Sequence, residues 1–141
     1  MKKSLDNISY SIIDGADKMD ISEVMALLAQ TYWADKRPIE TVKCSMEHSC
    51  CYGVYLTDEQ KLVGFARVIS DFATTYYLCD VVVDEVYRGR GLGEVLVSYI
   101  ENLDEYKDLR GVLITRDAHP LYEKFGYKTL DGRAMVKGLN C

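Results

Sequence analysis

No stretch of this 141-residue chain approaches the roughly 20 apolar residues a bilayer-spanning helix needs, so nothing in it reads as membrane-embedded. A secretory leader is not expected either, since Met1-Lys2-Lys3 runs straight into polar residues instead of an apolar stretch. Paired metal-ligand spacing is missing too. The five cysteines, Cys44, Cys50, Cys51, Cys79 and Cys141, form no Cys-x-x-Cys, and His48 and His119 are the two histidines, so no metal site is expected. An odd cysteine count without a leader fits free thiols in a reducing cytoplasm. Cys79, inside a strand-like run, reads as a small core residue, and no histidine stands close to it in sequence to make it a nucleophile. Internal repeats, low-complexity tracts and Pro/Ser-rich linkers are all wanting, so residues 1–141 read as one domain. A net charge of −5 argues against nucleic acid or an anionic membrane as partner and is compatible with a small cationic substrate.

What the chain does have is a regular succession of strand and helix signals and eleven tyrosines. Ile8–Ile13 alternates as a first strand. Asp20 is placed to cap a helix over Ile21–Tyr32, with Glu23 as its capping-box partner and Val24, Leu27 and Leu28 on one face. Pro38 opens a second helix to about His48. Cys51–Thr57 and Leu62–Ser70 form a hairpin across Asp58-Glu59-Gln60-Lys61, and Thr75–Val83 is a long β-branched and aromatic strand. A helix follows from Gly91 to about Leu103, then a short strand Val112–Thr115. Asp117 is placed to cap a helix through Phe125, stopped by Gly126. Tyr127–Thr129 and Arg133–Val136 are expected to close the sheet. The order predicts an α/β (α+β) fold, a mixed sheet with helices packed on both faces.

The most informative segment is Arg88-Gly89-Arg90-Gly91-Leu92-Gly93, between the strand ending at Val83 and the helix that follows. A glycine turn there presents backbone N–H groups beside the positive end of a helix dipole, and two arginines add phosphate-binding donors. The glycine spacing fails the dinucleotide fingerprint, and Leu-Gly-Glu stands where a P-loop needs Gly-Lys-Ser/Thr. What fits is Arg-x-x-Gly-x-Gly on Arg88, Gly91 and Gly93. Downstream stands Ala118-His119-Pro120-Leu121-Tyr122-Glu123-Lys124-Phe125-Gly126-Tyr127. Together the two segments resemble the GNAT family of acyl-CoA N-acyltransferases.

That resemblance implies a mostly antiparallel sheet splayed between the strand ending at Val83 and the next strand. It implies acetyl-CoA as co-substrate, its pyrophosphate on the turn Arg88–Gly93 and its pantetheine arm paired along Val81, Val82 and Val83. An N–H near Val81 or Val83 would face the developing oxyanion. Tyr122 stands at the family's tyrosine position, as the acid that protonates the departing thiolate or as a packing aromatic. Asp80, a carboxylate in an apolar strand, has two open readings: the base that frees the amine, or a structural acceptor. Asp117 and His119 are candidates to relay a proton or touch the acceptor, or else are a cap and a surface residue. Many members carry Asn three residues before the matched alanine; Thr115 stands there, with a hydroxyl suited to a water or the cofactor.

The acceptor wall is expected in Tyr32-Trp33-Ala34-Asp35-Lys36-Arg37-Pro38, with Tyr77 as a further contact. Glu40 and Glu47 share a helix face and read mainly as solvated. The expected acceptor is a small-molecule amine; a protein or peptide amine, and a non-catalytic acyl-CoA-binding module, are the alternatives. A homodimer is expected by analogy with the fold.

Overall fold

The computed structural model describes residues 7–138; Met1-Lys2-Lys3 and Cys141 lie outside them. In chain order the elements are β1 (Tyr10–Asp14), α1 (Ile21–Leu28), α2 (Ile39–Glu47), β2 (Cys50–Leu56), β3 (Lys61–Ser70), β4 (Thr75–Val83), α3 (Leu92–Glu101), β5 (Arg110–Val112) and α4 (His119–Glu123). Short 3-10 turns lie at Ala16–Lys18 and Glu85–Tyr87. The sheet runs β1-β2-β3-β4-β5, antiparallel except for the parallel β4–β5 pair. Among the described residues, no helix is long and apolar enough to cross a membrane.

Two apolar layers sandwich the sheet. On one face Val24, Leu27 and Leu28 of α1 and Val42 and Met46 of α2 pack on Cys51, Leu62, Phe65 and Val82. On the other, Leu92, Leu96, Val97 and Ile100 of α3 pack on Tyr52, Val54, Val68 and Leu78. The tyrosines belong largely to this second layer. Tyr52 and Tyr106, both about 1% exposed, share a hydrogen bond of 2.6 Å between hydroxyls, and the Tyr106 ring stacks on Tyr76. A buried hydroxyl is costly unless partnered, and each of these two satisfies the other.

Several expected boundaries move, each for a local reason. α1 ends at Leu28 instead of Tyr32 because Thr31 Oγ1 donates to the Leu28 carbonyl and accepts from Ala34 N–H, competing with further helical turns. Asp20 does cap α1, accepting from Ser22 N–H at 2.9 Å, but Glu23 is no capping-box partner: its carboxylate accepts from Leu62 N–H in β3 at 2.8 Å. β5 is Arg110–Val112, so its expected last residues lie beyond the paired register. Tyr127–Thr129 and Arg133–Val136 are not strands. Tyr127 turns inward to donate to Glu101 of α3 at 2.8 Å, and Met135, 96% exposed, has no strand to pair with.

One irregularity shapes the centre of the sheet. Arg67 pairs with Cys79 but Phe65 pairs with Val82, so Asp80 and Val81 together face the single residue Ala66. This is a β-bulge, and Asp80 takes φ 55° within it. Aspartate tolerates the left-handed region better than most side chains.

Candidate active site

β4 and β5 pair at Thr75–Arg110, Tyr76–Gly111 and Tyr77–Val112, and pairing stops there. The bulge at Asp80 follows within three residues, and a cleft of about 340 Å³ opens beyond the last pair. Its floor is Leu78–Val81, and one wall is Leu113–Thr115 with Asp117, Ala118 and Tyr122. The opposite wall is Tyr32, Trp33 and Arg37 from the α1–α2 connection, with Arg67 from β3.

At the upper end of β4 the chain passes through the 3-10 turn into Arg88–Gly93. Gly89 has φ 80° and Gly91 φ 85°, conformations costly for any L side chain, and Gly91 is the N-cap of α3. The first internal bond of α3 runs from Val95 N–H to the Gly91 carbonyl, leaving the N–H groups of Leu92, Gly93 and Glu94 without a helix acceptor. A Cβ on Gly93 would meet only Val83 Cγ2 at 3.6 Å, an ordinary contact, so the fold does not itself demand glycine there. The turn is thus an open cradle of main-chain donors, of the kind that can hold an anion close to the backbone. Arg88 does not simply reach outward; its Nε donates to the Val83 carbonyl at 2.9 Å and fastens the turn to β4. The Arg90 guanidinium lies 5.8 Å from the Tyr87 ring centroid.

Tyr122 stands on α4, only 8% exposed, and contributes to the cleft wall. Burial, with the Asp117 charge adding to it, pushes its phenol up to about 12, so it carries its proton throughout the neutral range. No described residue hydrogen-bonds its hydroxyl. Lys124, the C-cap of that helix, pairs with Glu94 in the first turn of α3 at 2.6 Å, tying Tyr122's element to the start of α3.

Asp80 is the most heavily partnered carboxylate of the cleft. Its Oδ2 accepts from Arg37 Nη1 at 2.7 Å and Arg67 Nε at 2.9 Å, and its Oδ1 accepts from Trp33 Nε1 at 3.1 Å. Burial alone would raise its pKa, but the Arg37 hydrogen bond and the charges of Arg67 and Arg37 outweigh this and hold it below the usual carboxylate range. Such a group is a weak proton acceptor, so of the two readings of Asp80 the geometry supports the structural one.

The other expected contacts divide. Trp33, Tyr32 and Tyr77 do line the cleft, and so does Asp117. Asp117 caps nothing, however: the N-cap of α4 is Ala118, whose N–H donates to Thr115 Oγ1 at 3.0 Å. Thr115 is a cleft residue; its hydroxyl oxygen accepts that bond and keeps its own proton to donate. His119 is exposed at the first position of α4 and is not part of the lining. Glu40 pairs loosely with Lys43 at the surface. Sequence reasoning missed Arg67 and named Arg37 only as part of the acceptor wall, without its ion pair to Asp80. The signal for Arg67 was available, since an arginine inside Leu62–Ser70 is as conspicuous as an aspartate inside Thr75–Val83. Arg116, also missed, stacks its guanidinium 3.7 Å from the centroid of the Tyr32 ring.

Residues 47–129 match the family described as "Acetyltransferase (GNAT) domain". The chain belongs to the GNAT family. It is 33% identical over 102 residues to the "Uncharacterized N-acetyltransferase ycf52-like" of Prochlorococcus marinus, covering 70% of this chain and 56% of that protein. The chain thus spans little more than half the length of that relative. It is 30% identical to the ycf52 N-acetyltransferase of Pyropia yezoensis, covering 99% of this chain and 82% of the relative. The crystal structure of a GNAT-family protein from Xanthomonas campestris pv. campestris superposes with a TM-score of 0.84 at 33% identity, covering 92% of this chain and 93% of that one. The splayed β4–β5 pair and glycine turn described above therefore sit in a GNAT acetyltransferase domain.

Proposed function

We propose that the chain transfers an acetyl group from acetyl-CoA to the primary amine of a small molecule, directly, with both bound at once. One observation carries the reading: the cleft beyond the last β4–β5 pair holds a buried, protonated phenol, and β4, which floors that cleft, runs on to an open cradle of helix-start amides. The turn Arg88–Gly93 would hold the pyrophosphate through the N–H groups of Leu92, Gly93 and Glu94, with Arg88 and Arg90 beside it. The edge of β4 along Val81, Val82 and Val83 would pair with the amides of the pantetheine arm, as an added strand does. Acetyl-CoA supplies an activated thioester acyl group.

The chain's own part is then positional and protonic. Backbone N–H groups near the bulge, at Val81 or Val83, are the candidate donors to oxygen as charge develops. Tyr122 holds a proton on its hydroxyl, and its raised pKa keeps that proton available to a departing sulfur. Asp80 fixes Arg37 and Trp33 in the acceptor wall; its ion pairs suit positioning more than proton transfer. Asp117, beside Tyr122 in the wall, is the carboxylate placed to attract an ammonium group.

The test is release of free CoA from acetyl-CoA with a panel of amines and peptides. Turnover on small amines supports the proposal. Turnover confined to peptides moves the acceptor to protein, and tight acetyl-CoA binding with no turnover on any acceptor makes the chain an acyl-CoA-binding module.

A further inference from the structure

The acceptor wall carries more positive charge than it neutralises. Arg37 and Arg67 converge on one carboxylate, Asp80, whose side chain is 2% exposed. Neither guanidinium pairs with a second carboxylate among the described residues. Arg67, its side chain 10% exposed, spends a further N–H on Ser49 Oγ at 3.4 Å. The Arg37 side chain is 29% exposed and, among the described residues, makes one side-chain bond, through Nη1, which leaves its other guanidinium N–H groups available on the cleft wall. Two cations sharing one anion in a largely desolvated place is an unbalanced arrangement, and a second anion would balance it.

The opposite wall has the reverse sign. Asp117 lines it beside Tyr122, near enough for its charge to act on that phenol. Arg116, next to Asp117 in the chain, is outside the lining and rests its guanidinium on the Tyr32 ring. The cleft is therefore dipolar, negative beside the phenol and positive at the α1–α2 connection.

Resting on the acetyl-transfer reading above, we infer that the acceptor is an amine that also carries an anionic group, a carboxylate or phosphate. Its ammonium end lies toward Asp117 and Tyr122, and its anion is bound by the free face of Arg37. Arg37 is thus a specificity-determining residue, with Asp80 holding its guanidinium at a fixed orientation. A bidentate guanidinium–anion contact is worth about 10- to 100-fold in recognition.

Two measurements decide this. In the first, n-alkylamines are compared with ω-amino acids and ω-aminoalkylphosphonates of matched length as acceptors. The acids should be favoured about tenfold or more in kcat/KM, through KM, and Arg37→Gln should erase the preference while leaving the acetyl-CoA KM unchanged. Equal use of both series by the wild type, or a preference that survives Arg37→Gln, overturns the inference and leaves acetyl transfer standing. The second needs no turnover. Trp33 is the sole tryptophan and is bonded to Asp80, so its fluorescence reports on this wall. Inorganic phosphate should change it saturably in wild type and not in Arg37→Gln. No change, or the same change in both, overturns the inference. If no amine of any kind is turned over, acetyl transfer fails and the phosphate titration alone decides whether the anion site exists.

Discussion

Asp80→Asn is the most informative single substitution in this chain. Asparagine has nearly the same shape, tolerates the φ of 55° that the bulge imposes, and keeps an oxygen for Trp33 Nε1. What it removes is the one negative charge between Arg67 and Arg37. Stranding a buried partner costs about 3–5 kcal/mol. Arg37 keeps 29% of its side chain in water while Arg67 keeps 10%, so essentially one guanidinium is stranded and the low end, about 3 kcal/mol, applies. For a domain of this length about 1 kcal/mol moves Tm by about 3 °C, so a fall of roughly 10 °C is expected. Thermal and urea denaturation followed by circular dichroism measure it, with the urea slope unchanged. The pH dependence gives a second check. Asp80's folded pKa is lowered, so its contribution is complete above the unfolded value of about 4 and is lost as pH falls through the lower folded value. The gap between wild type and variant should hold from about pH 8 to about pH 5 and narrow below about pH 4. A Tm loss under about 3 °C, or a gap that does not depend on pH, would refute the assignment of Asp80 as the cluster's stabilising anion.

Tyr122→Phe should lower kcat by roughly 100-fold with little change in acetyl-CoA affinity, as steady-state kinetics and calorimetry would show. With its phenol pushed up to about 12, wild-type Tyr122 should cause no alkaline loss of rate below about pH 10. Gly91→Val places a β-branched side chain at φ 85° at the start of α3 and should weaken CoA binding at least tenfold in protein whose circular dichroism is native-like. Tyr106→Phe leaves the buried Tyr52 hydroxyl without its partner and should cost about 1–3 kcal/mol in urea denaturation, with CoA affinity unaltered.

Much of the layout was legible because it is local. β4 was readable to the residue, since seven of its nine positions are β-branched, aromatic or aliphatic. The start of α3 was readable because Gly91 is the cap and Leu92 the first buried helical residue. What escaped depends on distant partners. Asp80 stood out as a costly carboxylate, but Arg67, Arg37 and Trp33 lie 13, 43 and 47 residues away and meet it only in the folded chain. The bulge that turns Asp80 toward them is a matter of register between β3 and β4, which composition does not encode. The expected closing strands failed differently: Arg133–Val136 has a strand-like pattern, but a strand exists only against a partner, and Tyr127 is diverted to Glu101. The start of α4 moved by one residue, from a cap at Asp117 to one at Ala118, whose amide donates to the Thr115 hydroxyl.

Calorimetric titration of folded protein with acetyl-CoA tests the central claim most directly. The glycine turn and β4–β5 cleft predict saturable heat at one site per chain, sharply weakened in Gly91→Val and retained in Tyr122→Phe. Absence of heat with both acetyl-CoA and free CoA on native protein would contradict it.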